Sequence, residues 1–179
     1  MAKPPPNSVH PTSRQAWREW LSENHARQEG IWLVSFKKAT GKPRLEYDET
    51  VEEALCFGWV DSKPSKLDEE RSMLWFSPRK NGTGWSKLNK ERVERLIKAG
   101  QMATSGLAKV KQAKKDGSWA TLDAVEALLI PSDLASALAM SPPAAANFDA
   151  FPRSVKRGIF EPRFSISPTF LMETIRLSD

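Results

Sequence analysis

A short basic segment carries the residues best suited to chemistry in this 179-residue sequence. Two adjacent cations, Arg79 and Lys80, are followed by Gly82 and Gly84, and Ser86 can then cap a helix. The first turn of a helix has free backbone N–H groups and the positive end of the dipole, and glycines let a backbone approach a ligand closely. This junction therefore suits a carboxylate, a phosphate or a sulfate.

Two polar residues extend this candidate site along the inward face of the helix. The helical pattern between Ser86 and Gly100 is amphipathic, and Asn89 and Arg92 fall on its apolar half. Buried polar groups need partners. Either Arg92 pairs with a core carboxylate such as Asp61 while Asn89 bonds to a neighbouring backbone group, or both residues are walls of an anion pocket.

Tryptophans could supply the flat apolar walls of such a pocket. The sequence has seven Trp against one Tyr, and either some indoles line a site or all of them are core. Asp61 follows Trp59 by two residues, so both lie on one face of a strand, and structural pairing is the expected role of this carboxylate. The expected ligand-binding residues are Trp59, Asp61, Trp75, Arg79, Lys80, Trp85, Asn89 and Arg92.

Other kinds of reactive site have little support. The single cysteine, Cys56, excludes an internal disulfide and a multi-cysteine metal site, and the only histidines are His10 and His25. A nucleophilic cysteine needs a base within reach, so we expect Cys56 to be a buried, inert thiol. We expect no metal and no cofactor, and the sequence identifies no catalytic residue.

Composition places the chain among ordinary globular proteins. Hydrophobic residues make up 40% and charged residues 27%, and the net charge is +5 with acids and bases interspersed. No stretch approaches the ~20 apolar residues of a membrane span, and the first residues lack the apolar core of a signal peptide. We therefore expect a cytoplasmic protein.

The elements that position these residues indicate an α+β fold. Helical segments are predicted from Thr12 or Ser13 to Gly30, from Thr50, with a capping box to Glu53, to Gly58, and from Ser86 to Gly100. Strands are predicted for 31–38, 59–63 and 72–77, the last two as an antiparallel hairpin. Together they form a small, mostly antiparallel β-sheet packed with helices.

The second half of the sequence has a helical pattern throughout. Helices are predicted for 106–115, 122–130, 132–140 and 144–151, and Ser154 can cap another. The expected organisation is a flexible tail over 1–12, an α+β domain over 13–102 and a helical subdomain over 103–179.

Two motifs resemble a known family. The run 47–62, Tyr-Asp-Glu-Thr-Val-Glu-Glu-Ala-Leu-Cys-Phe-Gly-Trp-Val-Asp-Ser, resembles the hallmark segment of the YdeI/OmpD-associated family. Trp-Phe-Ser-Pro-Arg-Lys at 75–80 and Trp-Ser-Lys-Leu-Asn-Lys-Glu-Arg-Val at 85–93 resemble its second motif. The resemblance runs from about Trp17 to Arg157. It departs over 158–172, where Pro162 and Pro168 interrupt a helix, which indicates a shifted reading frame or a truncated tail.

The resemblance implies a bacteriocin-protection role and association with an outer-membrane porin, with no assigned reaction. A non-catalytic binding protein, with a small anionic ligand or a protein partner, is the leading expectation, because the sequence offers cations and aromatic residues but no recognisable nucleophile, metal set or paired carboxylates. One alternative is an enzyme on a small anionic substrate, in which Arg79, Lys80 and Arg92 hold the anion and Asp61 or His25 moves a proton. Another is nucleic-acid binding through Trp stacking and the lysine-rich stretch 109–115.

Overall fold

The computed structural model describes residues 2–160 and divides the chain after Ala120 into two compact units. A four-stranded, mostly antiparallel sheet with helices, followed by C-terminal helices, confirms the predicted α+β class. The elements are β1 (Ser8–Val9), α1 (Arg14–Asn24), β2 (Ile31–Phe36), a 3-10 turn (Lys38–Thr40), α2 (Tyr47–Cys56), β3 (Trp59–Lys66), β4 (Arg71–Pro78), α3 (Lys87–Lys98), α4 (Thr104–Asp116), α5 (Asp123–Glu126), α6 (Ser132–Ala139), α7 (Pro142–Ala150) and α8 (Arg153–Phe160).

The sheet has the strand order β1-β2-β4-β3. Strand β1 runs parallel to β2, and both β2 and β3 are antiparallel to β4, which confirms the predicted hairpin of β3 and β4. Across β2 and β4, Leu33 lies opposite Leu74 and Ser35 opposite Ser72. Because side chains alternate along a strand, these four residues share one face of the sheet.

Helix α1 begins as its sequence predicts, whereas α2 begins earlier. The Ser13 hydroxyl accepts a hydrogen bond from the backbone N–H of Ala16 at 3.2 Å. Helix α2 starts at Tyr47 because Glu46 and Glu49 form the capping box, so the prediction that Thr50 caps this helix is wrong. The Thr50 hydroxyl instead donates to the Tyr47 carbonyl inside the first turn.

The core of the first unit is formed by one face of the sheet and by helices α1, α2 and α3. Its largest fully buried side chains are Trp17, Trp59, Trp85 and Phe76. Trp17 and Trp59 each place their indole N–H on a backbone carbonyl, that of Thr50 and that of His25, both at 3.0 Å. These bonds satisfy the buried donors and fix α1 against α2 and β3.

Helix α4 completes this core. The predicted domain boundary at 102/103 would separate α4 from the sheet, whereas the structure includes α4 in the first unit. Val110 and Ala113 are buried in the same cluster as the sheet residues, and the Ala103 N–H donates to the Cys56 carbonyl at 3.0 Å. Gly106 lies directly on that carbonyl, with no room for a side chain. The first unit therefore extends to Ala120.

The N-terminal residues are also more ordered than the flexible tail predicted for 1–12. Ser8 and Val9 pair with β2, and the Arg71 guanidinium donates to the Ala2 carbonyl at 2.6 Å. Backbone pairing at the sheet edge and this charged hydrogen bond hold the segment at both ends.

The second unit has its own small apolar cluster. Leu134 and Leu138 from α6 pack with Ala144 and Phe148 from α7. Helix α5 has only four residues, fewer than the predicted 122–130, and Arg157 of α8 pairs with Glu126 at 3.2 Å. The predicted atypical tail lies outside the described residues from position 161 onward.

Candidate functional site

A cavity of about 360 Å³ lies at one end of the sheet face described above. Its volume falls within the range of small-molecule sites, about 300–1,000 Å³. The apolar part of its wall consists of Leu33, Leu45, Pro64, Met73 and Leu74. The polar part consists of Ser35, Arg44, Tyr47, Thr50, Asp61, Ser62 and Ser72.

The cavity exists because the sheet face changes from apolar to polar along β2 and β4. Leu33 is buried in the core and the partly buried Leu74 packs against it, whereas Ser35 and its cross-strand partner Ser72 place hydroxyls at the next positions of the same face. The loop before α2 and the first turn of α2 form the opposite wall through Leu45 and Tyr47. Two hydroxyls, those of Ser35 and Ser72, therefore lie beside the apolar part of the cavity wall.

An irregularity in β3 brings extra polar groups to the same cavity. The pairing of β3 with β4 shifts register between Asp61 and Pro64. In a regular strand Asp61 and Ser62 would point to opposite faces, yet both line the cavity. Such bulges redirect side chains next to functional sites.

The most distinctive pair at the cavity is Tyr47 and Asp61. The Tyr47 hydroxyl donates a hydrogen bond to Asp61 Oδ2 at 2.8 Å. Partial burial and then the bonded carboxylate raise the pKa of Tyr47 to about 12. The phenol therefore remains a protonated donor at neutral pH, and the carboxylate keeps lone pairs for a ligand.

A cation stands at the rim of the cavity. The Arg44 guanidinium pairs with Glu46 at 2.5 Å, but the Glu46 side chain is 65% exposed. Exposed pairs of this kind contribute little free energy. Arg44 can therefore exchange Glu46 for an acceptor on a ligand.

Arg92 and Asn89 lie outside the cavity, and Arg92 has a different partner from the suggested Asp61. The buried Arg92 guanidinium donates to Asn89 Oδ1 at 3.0 Å and to Asp48. Asp48 belongs to the first turn of α2, next to Tyr47. Arg92 and Asn89 thus connect α3 to the turn that carries Tyr47. They do not form walls of an anion pocket.

The expected anion pocket beside the basic loop has no room for an anion. Arg79 is buried and stacks on Trp85, with its guanidinium carbon 3.8 Å from the ring centre, and it donates to the carbonyls of Thr83 and Gly84. Burial lowers the pKa of Arg79 to about 10. The cleft that Arg79 lines with Lys80 and Trp85 holds about 10 Å³, space for about one water molecule.

The three predicted indoles all lie away from the cavity. Trp59 and Trp85 are core residues. Trp75 packs edge-on against Trp32, at 5.1 Å between ring centres, on the opposite face of the sheet. Of the eight predicted site residues, only Asp61 lines the cavity.

Cys56 and His25, the other two candidate reactive residues, are engaged in internal contacts. Cys56 is fully buried, and burial followed by the nearby Glu53 raises the pKa of its thiol to about 11. His25 places Nδ1 3.1 Å from the Ser22 carbonyl within its own helix end. Among residues 2–160, no three His, Cys, Asp or Glu side chains are grouped to hold a metal ion.

Sequence reasoning missed Tyr47, Arg44, Ser35 and Ser72. Two signals were present, because Tyr47 is the only tyrosine of the chain and the strand Ile-Trp-Leu-Val-Ser-Phe changes from apolar to polar at Ser35. The irregularity in β3 has no comparable signal in the sequence.

Residues 9–109, more than half of the chain, match a family described as a domain of unknown function, DUF8412. The chain belongs to this family. The DUF8412 match includes every residue that lines the cavity. No curated protein and no solved structure matches the chain. In the described part of this DUF8412 protein, no helix combines the length and apolar character needed to cross a membrane.

Proposed function

We propose that this DUF8412 protein binds a small molecule in the cavity between the sheet and the first turn of α2. The observation that carries the proposal is the Tyr47–Asp61 pair in a recess of about 360 Å³ with mixed apolar and hydroxyl walls. Ligand pockets typically combine apolar walls with a few convergent polar groups.

The polar groups favour a ligand with hydroxyl or amine donors. Asp61 is an acceptor, and its partner Tyr47 keeps lone pairs on its own oxygen. Ser35, Ser62 and Ser72 can each donate or accept, and Arg44 offers a donor at the rim. A small amphiphilic molecule would bind with its apolar side on Leu33 and its donor groups on Asp61.

The role in tolerance to bacteriocins or antimicrobial peptides remains part of the proposal. It rests on the resemblance of residues 47–62 to the YdeI/OmpD-associated family. A small-molecule binding protein fits such a role if ligand binding regulates the protein or sequesters the compound.

The test is a thermal-shift screen with sugars, polyols, nucleosides, amino acids and amines, repeated with Asp61→Asn and Tyr47→Phe. Ligands that bind only the folded state raise its melting temperature, so we expect a compound that stabilises the wild type but neither variant. Glu94→Gln, an exposed carboxylate on α3, is the matched control and should behave like the wild type. Equal stabilisation of the wild type and Asp61→Asn by every active compound, or no active compound at all, would overturn the proposal.

An enzyme acting in the same cavity is the second candidate, because a donor and a carboxylate stand side by side. Arg79 and Arg92, the cations expected to hold an anionic substrate, are engaged in internal contacts. Asp61 would then accept a proton from the ligand. If so, Asp61→Asn would retain measurable binding and lose turnover of the bound compound, followed by chromatography of the incubated ligand.

A further inference from the structure

The charges of this chain are unevenly distributed. The sequence as a whole has 27 Lys and Arg against 22 Asp and Glu. Two segments, 79–90 and 104–115, together contain eight Lys and Arg and no acidic residue. Acid-free basic segments are the electrostatic footprint of a polyanion-binding surface when the fold places them side by side.

The fold does place these two segments side by side. Lys80 and Asn81 from the basic loop line the same shallow cleft as Lys109 and Gln112 from α4. The Lys109 ammonium donates to Asn81 Oδ1 at 3.2 Å, which joins the two segments directly.

The only acid lining that cleft is already bonded to backbone and side-chain donors. Asp116 accepts from the backbone N–H of Ser118 at 3.0 Å and from the Gln112 amide at 3.3 Å. The hydrogen bonds from Ser118 are the main cause that lowers the pKa of Asp116. The ionised carboxylate anchors the end of α4, and its single negative charge offsets only one of the two lysine charges, Lys80 and Lys109, in the cleft.

Two further lysines, Lys90 and Lys114, make cation–π contacts with the ring of Trp119. Its ring centre lies 5.1 Å from the Lys114 ammonium and 5.6 Å from the Lys90 ammonium. Cation–π contacts of this kind orient a lysine while its charge remains available to solvent. Trp119 thus joins a lysine of α3 and a lysine of α4, the helices that carry the two acid-free segments.

The lysines beside the sheet differ because they have acidic neighbours. Lys42 pairs with Glu70 at 2.8 Å, and Lys66 pairs with Glu69. Lys37 donates to the carbonyls of Asp68 and Glu69. The sheet side therefore offers a matched comparison of similar lysine number.

We propose that the surface formed by Lys80, Lys109, Lys111, Lys114 and Lys115 binds the phosphate backbone of nucleic acid. All of these lysines except the half-buried Lys109 are exposed. A cleft of about 10 Å³ between the two segments cannot enclose a small anion, so the surface suits an extended one. This inference is independent of the cavity at Asp61.

An anionic membrane fits this surface less well. A helix that lies on a membrane buries an apolar face in it. The apolar residues Val110 and Ala113 of α4 face the protein core, and Leu107 is the one large apolar side chain of α4 that is exposed. The surface thus offers charge without an apolar face.

The test measures fluorescence anisotropy of labelled single-stranded and duplex oligonucleotides with the full chain. For four phosphate contacts on a single strand, raising salt from about 50 to about 200 mM should weaken binding about 50-fold. The variant Lys111→Gln/Lys114→Gln/Lys115→Gln should bind at least ~10-fold more weakly, and its salt slope should be shallower by about 2. Circular dichroism and thermal melting verify that the variant is folded.

The matched control is Lys37→Gln/Lys42→Gln/Lys66→Gln, which removes the same net charge from the lysines beside the sheet that have acidic neighbours. We expect the control to bind within about twofold of the wild type after equal salt titration. Equal losses in both triple variants, salt-independent binding, no binding, or binding to phosphatidylglycerol vesicles but not to oligonucleotides would overturn the proposal. Asp61→Asn should leave oligonucleotide binding unchanged.

Discussion

Replacing Gly106 with alanine tests the packing of α4 against α2. A Cβ atom at position 106 would lie 2.2 Å from the Cys56 carbonyl oxygen and 2.8 Å from that of Leu55. Both contacts are with backbone, and the Cys56 carbonyl already accepts from Ala103. Neither oxygen can rotate away, so α4 must retreat from α2 and withdraw Val110 from the core.

The magnitude follows from two opposing effects. Alanine is favoured over glycine inside a helix by about 1 kcal/mol. Overpacking costs typically about 1–3 kcal/mol, and a clash with fixed backbone lies at or above the upper end. We therefore expect Gly106→Ala to lower the free energy of unfolding by about 2 kcal/mol.

The assay is urea unfolding followed by tryptophan fluorescence, with the midpoint and slope both determined. Gly158→Ala is the control, because Gly158 also lies in a helix and a Cβ there meets nothing within 4 Å. That change should leave stability equal or raise it by up to about 1 kcal/mol. A Gly106→Ala protein as stable as the wild type would refute the close approach of the two helices.

Three further predictions concern single side chains. Tyr47 is the only tyrosine, so ultraviolet titration of phenolate should report its pKa near 12 in the folded protein. Because that pKa is raised from 10.0, the phenol's contribution to stability should be complete below pH 10 and lost as pH rises through 12; an unshifted titration would contradict the Tyr47–Asp61 bond. The buried Cys56 thiol, with its pKa raised to about 11, should react with a thiol reagent only after unfolding, and rapid labelling of the native protein would show the thiol to be accessible. Arg79→Ala should lower the free energy of unfolding by about 2–3 kcal/mol, because it removes charged hydrogen bonds to Thr83 and Gly84 and the stacking on Trp85; unchanged urea unfolding would contradict the role of Arg79 in closing the loop.

Local sequence signals were sufficient for much of the fold. The Ser86 cap and the strand pattern of β3 and β4 are specified by neighbouring residues, and the structure confirms each of them. The start of α2 differs from the prediction because two consecutive capping patterns, Glu46 with Glu49 and Thr50 with Glu53, stand in the sequence. Only the three-dimensional packing selects between them.

The candidate site depends on contacts that no local pattern encodes. Arg79 satisfies the same sequence criteria as an anion ligand, yet it turns inward onto Trp85 and closes its own loop. Tyr47 and Asp61 are 14 positions apart and meet only because α2 packs beside β3. The first unit extends past the predicted boundary at 102/103, because Gly106 allows α4 to join the core.

The most direct test of the proposed cavity is amide chemical-shift mapping of the isotope-labelled protein with the same small-molecule panel. We predict that an active hydroxyl- or amine-bearing compound shifts amides of residues 44–50, of Asp61 and Ser62, and of Ser72 to Leu74, and that Asp61→Asn abolishes these shifts. Shifts centred elsewhere, or a folded protein that shows none with any member of the panel, would contradict it.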